Sequence, residues 1–140
     1  MLKKEEKAVE LFKAGCNCSQ AVFAAFADEL RLEESLAIQI SLGLGGGVGR
    51  MRQVCGAVSG AALVLGMRHG PDKSAAYHAI QNFCADFSKE CGSIVCRELL
   101  QSEHDAQVGG SPEPRTPEYY RKRPCADLVR LAARLLERES

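Results

Sequence analysis

The chain has no tryptophan, and aromatic residues make up only 6% of its 140 positions, so a core has to be assembled from alanine, valine, leucine and isoleucine. It also lacks net charge. Eighteen Lys and Arg balance eighteen Asp and Glu, which leaves no global field to draw nucleic acid or an anionic surface, and no nucleic-acid partner is expected. No stretch alternates apolar and polar residues for long enough to make a convincing strand. No apolar run reaches the roughly 20 residues that span a bilayer. The longest, residues 53–67, lies between Arg52 and Arg68 and is interrupted by glycine, so it reads as a buried helix and the protein as not integral to a membrane. The charged opening Met1-Leu2-Lys3-Lys4-Glu5-Glu6-Lys7-Ala8 lacks the apolar core of a secretory signal, which makes a cytoplasmic location the expectation.

Several familiar chemistries are missing as well. There is no C-x-x-C pair and no C-x-x-C-H for covalent haem, and none of the three histidines stands at metal-ligand spacing from a cysteine. The glycine run Gly43-Leu44-Gly45-Gly46-Gly47-Val48-Gly49-Arg50 offers no G-x-G-x-x-G register, no following Gly-Lys-Ser or Gly-Lys-Thr, and no preceding strand, so a nucleotide loop is excluded. Its bare backbone is suited instead to a close approach to Cys55, with Gly45, Gly46, Gly47 and Gly56 as candidates to offer N–H groups to a thiolate or small anion. A tight interhelical turn accounts for the run equally well.

What the sequence does contain is helical periodicity and seven cysteines. Apolar spacing predicts an all-α domain covering 1–140, a compact bundle of six or seven helices around a central Gly/Ala-rich one. Helices are expected over residues 3–14, 17–30, 34–42, 52–68, 72–89 and 94–101 and from Pro124 onward, with a variable loop at about 103–120. Asn17 with Gln20 imitates a capping box, and Gly15 suits the position just past a helix end. Gly56 and Gly60, four apart on the central helix, leave a groove for a neighbouring helix.

On this map Cys18, Cys55, Cys96 and Cys125 each fall in the first turn of a helix. A helix N-terminus carries unpaired N–H groups and about half a positive charge, which favours a thiolate. If the four ends converge they form one site, open to dithiol–disulfide cycling or to four-cysteine ligation of an iron–sulfur cluster or zinc; if they do not, they are small buried hydrophobes. Cys16, in a C-x-C pair with Cys18, and Cys91, five residues before Cys96, are candidate accessory thiols, whereas Cys84 beside Phe83 and Phe87 reads as core. Arg50 and Arg52 are candidate cations near Cys55.

The stretches Gly15-Cys16-Asn17-Cys18-Ser19-Gln20-Ala21-Val22, Gly45 to Arg50, Cys55-Gly56-Ala57-Val58-Ser59-Gly60-Ala61 and Cys96-Arg97-Glu98-Leu99-Leu100, followed by Cys125, resemble the redox-active family named for its C-GCAxxG-C-C cysteine pattern. The resemblance covers nearly the whole chain and aligns the family's four characteristic cysteines with Cys18, Cys55, Cys96 and Cys125. It implies a redox role without naming a substrate. The expected partner is a redox protein or a small thiol, with a homodimer as the oligomeric expectation. A third reading, a non-enzymatic helical partner such as an accessory to a membrane transporter, draws only on the apolar helices and zero net charge.

Overall fold

The computed structural model describes residues 3–100 and 102–139, leaving Met1, Leu2, Gln101 and Ser140 outside, and helical period governs it throughout. Helix α1 (Lys4–Lys13) buries the predicted Ala8, Val9 and Phe12 and is stopped by Gly15 at φ +117°. Asn17 then opens α2 (Cys18–Ala25) with both halves of the capping box: its side chain accepts from the Gln20 N–H, and the Gln20 side chain accepts from the Asn17 N–H, each at 2.9 Å. Helix α3 (Glu34–Ser41) leads through a 3-10 turn at Leu42–Leu44 into a single turn, α4 (Gly45–Val48). The central helix α5 (Gly56–His69) is followed by the long α6 (Lys73–Cys91), short α7 (Cys96–Leu99) and α8 (Pro117–Lys122), and α9 (Cys125–Glu139). Helix α9 turns Leu128, Val129, Ala132, Leu135 and Leu136 inward as the periodicity predicts. Helix α2 packs on α5, while α1 is held between α2 and α9, so that one core runs through all four.

The all-α fold is as expected, but several boundaries differ, and four of the differences have an identifiable reason. Helix α2 ends at Ala25 rather than at residue 30, because the chain tightens into turns that end in Arg31 at φ +58°. Helix α5 begins at Gly56 rather than 52, and α7 at Cys96 rather than 94. The segments before them are drawn together in the only β-type pairing among the described residues, an antiparallel bridge of Val54 with Val95. The stretch expected to be loop at 103–120 holds the start of α8, where the Thr116 side chain accepts from the Tyr119 N–H and Pro117 occupies the first turn.

The groove predicted at Gly56 and Gly60 is where α2 lies. A Cβ on Gly60 would stand 2.7 Å from the Ser19 carbonyl oxygen, and one on Gly56 would stand 3.2 Å from the Cys18 Cβ. Glycine in a helix interior costs about 1 kcal/mol relative to alanine, so at Gly60 this contact must outweigh propensity. Gly66, on the same helix, has nothing within 4 Å of such a Cβ. Chemical denaturation should therefore separate the two substitutions by sign: Gly60→Ala is expected to lose about 1–3 kcal/mol through overpacking, and Gly66→Ala to gain up to about 1 kcal/mol from propensity alone.

Candidate functional site

Cys18 is the first residue of α2, Cys96 of α7 and Cys125 of α9, and Cys55 is the cap residue before α5. All four line one small cavity of about 60 Å³, and all seven cysteines are free thiols. Their convergence has identifiable causes. The glycine contact brings the start of α2 against the start of α5. The Cys55 N–H donates to the Ile94 carbonyl at 2.8 Å and the Cys96 N–H to the Gln53 carbonyl at 2.6 Å, which ties the second and third cysteines together through backbone. Packing of α9 on α2 and α5 delivers the fourth.

Cys16 and Cys91 do not line this cavity. The Cys16 carbonyl accepts a hydrogen bond from Arg115 at 2.8 Å, and the Cys91 thiol donates to the Phe87 carbonyl at 3.0 Å, one helical turn back. Cys84 is half-buried against the core. Of the glycines, Gly46 and Gly56 reach the cavity wall and Gly45 lines the neighbouring pocket, whereas Gly47 is buried. The N–H groups that reach the Cys55 sulfur come from Ala57 and Val58 in the first turn of α5, not from the glycine loop.

That loop has another task. Gly46, Gly47, Val48, Gly49 and Arg50 all have φ between +56° and +72°, a left-handed turn of a length that L-residues avoid. At Gly47 a Cβ would lie 2.5 Å from the Gln53 nitrogen. The turn is closed by hydrogen bonds from the Arg52 N–H to Gly46 O at 3.1 Å and from the Gln53 N–H to Gly47 O at 2.9 Å. The reversed turn leads into Arg52, which lines the thiol cavity, whereas Arg50, expected near Cys55, lines only the neighbouring pocket. At the two non-glycine positions, Val48 and Arg50, such strain costs about 1–3 kcal/mol each and persists where the surroundings over-determine it.

Arg52 is buried, with 3% of its surface exposed. Its Nε donates to the Gln107 carbonyl at 3.1 Å and its Nη1 to the Cys96 sulfur at 3.7 Å, so its thiol partner is Cys96 and not the Cys55 nearer in sequence. Two further cations in the cavity wall, Arg115 and Arg123, were not singled out by spacing. Arg115 donates to the Phe12 carbonyl at 2.8 Å and stacks on the Phe12 ring at 4.4 Å; Arg123 stacks on Tyr119 at 4.8 Å and pairs with Glu113. The only local clue is that Arg123 stands two residues before Cys125.

These surroundings separate the four thiols. Burial pushes Cys55 up to about 12 despite the N–H groups of its helix, and burial likewise raises Cys96 against the opposing pull of Arg52. A helix terminus contributes about 0.3–1 kcal/mol, whereas desolvation of a fully buried group shifts its pKa by up to about 3–5 units. Burial therefore wins at those two sites, against the expectation that helix N-termini alone would favour thiolates there. Cys125 is the exception. The Cys18 thiol hydrogen-bonds to its sulfur, and Arg123, Arg115 and Arg52 add positive charge, so its pKa falls below the ordinary thiol value; Cys18, which holds the shared proton, is raised well above it.

Among the described residues no three His, Cys, Asp or Glu side chains are grouped closely enough to hold a metal ion. No described helix is long and apolar enough to cross a membrane.

Alkylation with iodoacetamide, mapped by mass spectrometry across a pH series, should label Cys125 first among the four cavity thiols. Its rate should rise through a midpoint below that of an ordinary thiol. Cys18→Ala removes the donor that stabilises the charged form, so the midpoint should move upward, while Cys55 should stay unlabelled near neutral pH.

No curated protein and no solved structure gives a significant match to this chain. The family model described as "Putative redox-active protein (C_GCAxxG_C_C)" matches residues 16–139 and so takes in all four cavity cysteines. The chain belongs to the redox-active C_GCAxxG_C_C family.

Proposed function

We propose that the chain is a thiol–disulfide oxidoreductase in which Cys125 is the attacking thiolate and Cys18 the thiol that closes the disulfide. The observation that carries this reading is geometric: Cys18 and Cys125 line one cavity of about 60 Å³ together with the guanidiniums of Arg52, Arg115 and Arg123, and those cations and the Cys18 thiol lower the Cys125 pKa.

The chemistry follows from that pairing. The Cys125 thiolate attacks one sulfur of a substrate disulfide, and the substrate S–S bond breaks to leave a mixed disulfide and one substrate thiolate. Once Cys125 is uncharged, Cys18 has lost its acceptor, and its proton passes to the departing thiolate. The Cys18 thiolate then attacks the Cys125 sulfur, expels the second substrate thiolate and completes a Cys18–Cys125 disulfide. Two electrons have moved from the protein dithiol to the substrate, and an external thiol reductant restores the dithiol by the reverse exchange. Cys55 remains protonated in the wall, and Cys96, hydrogen-bonded to Arg52, stands next to the pair.

Oxidation with one equivalent of diamide is expected to reduce the titratable thiols from seven to five and to yield a Cys18–Cys125 cross-linked peptide on mass mapping. Cys125→Ser and Cys18→Ala should each abolish that cross-link. A protein whose cavity thiols never pair, or pair only with Cys16, Cys84 or Cys91, would overturn the reading.

A further inference from the structure

A pocket of about 240 Å³ adjoins the thiol cavity and shares Arg52, Arg115, Arg123 and Tyr119 with it; Arg50 completes its basic wall and Glu113 is its single acidic lining residue. Two of these four guanidiniums, those of Arg52 and Arg123, are buried, and an uncompensated buried ion costs several kcal/mol. Arg123 has Glu113 and Asp105, and Arg50 reaches the same Glu113 at 3.8 Å. Arg115 donates to two backbone carbonyls and a tyrosine hydroxyl, and among the described residues neither Arg115 nor Arg52 pairs with a carboxylate. Even with Cys125 ionised to answer one of the remaining charges, one stays in excess. A second observation singles out Arg52. Arg52 Nη2 is buried without a hydrogen-bond partner, on a side chain that lines both spaces. A charged donor buried without a partner is among the larger single penalties in a fold, and an acceptor that enters beside this side chain would remove it.

We infer that this pocket receives the carboxylate of a small anionic disulfide, with the Arg52 guanidinium as its principal contact, so that the substrate's S–S bond is presented to the adjacent thiol cavity. The inference rests on the proposed dithiol chemistry and narrows its substrate class. Shape and charge agree with it: the pocket is large enough for a short carboxyalkyl arm, while the thiol cavity beyond it is large enough only for the sulfur end. A guanidinium also binds a carboxylate in a geometry that an ammonium cannot match. Without such a pocket the order of reactivity would run the other way, because an anionic disulfide is repelled by an attacking thiolate.

The test uses three disulfides of similar size and different charge on the full chain: 3,3′-dithiodipropionate, bis(2-hydroxyethyl) disulfide and cystamine. The rate of Cys18–Cys125 formation is followed by quenched mass mapping. The dianionic probe is expected to react at least about tenfold faster than the neutral one, the scale of one charge-assisted contact, and cystamine slowest. Both Arg52→Gln and Arg50→Gln should compress the anionic-to-neutral ratio. Arg50, at the rim, keeps the test open if the buried Arg52 variant does not fold. Equal rates for all three probes, or a faster cationic probe, would overturn the anion pocket and leave the dithiol chemistry standing. No cross-link with any probe would overturn the dithiol reading and this inference with it.

Discussion

The site depends on how closely two helices can approach. Gly60 lets the backbone of α5 rest against Ser19, and Gly56 lets it rest against Cys18, so that the starts of α2 and α5 are set side by side. Any side chain at those positions would separate the helix ends by about the width of a methyl group, and the thiols at those ends would no longer share a cavity. The cysteine and the glycine that follows it in Cys55-Gly56-Ala57-Val58-Ser59-Gly60 are thus parts of one device. One carries the sulfur and the other makes room for its counterpart.

Convergence alone does not make the thiols equivalent. The four helix starts provide similar local fields, but those fields are small beside the cost of placing a charge in an alanine-rich interior. Only Cys125 receives enough help, from one thiol proton and three guanidiniums, to offset that cost. The surroundings favour charge on that one sulfur and oppose it on the other three. The arginines that accomplish this come from distant parts of the chain: Arg52 from a left-handed turn, Arg115 from the connection before α8, and Arg123 from the short link before α9.

Some of this was legible in the sequence for local reasons. The capping box of Asn17 and Gln20, the stop at Gly15 and the inward face of α9 are decided within one or two helical turns, and each stands where the spacing predicts. The placement of four cysteines at helix starts was legible for the same reason. The starts of α5 and α7 were misjudged because residues on either side of Val54 and Val95 pair across some forty positions, and no local pattern announces that pairing. The start of α8 was a different kind of miss: Thr116 and Pro117 are a good local signal, hidden among the glycines and prolines around them.

By itself the sequence determined the helical class, the four helix starts that carry thiols and the glycines that permit close packing, because periodicity, caps and side-chain size act over a few residues. Only the tertiary structure decided which thiol has its pKa lowered and which cations face it. Desolvation and Coulomb interaction depend on what lies around a group in space, and here those surroundings are assembled from segments a hundred residues apart, as when Arg115 reaches the Phe12 and Cys16 carbonyls beside Cys18. The pattern of cysteines therefore located the chemistry, and the fold assigned its roles.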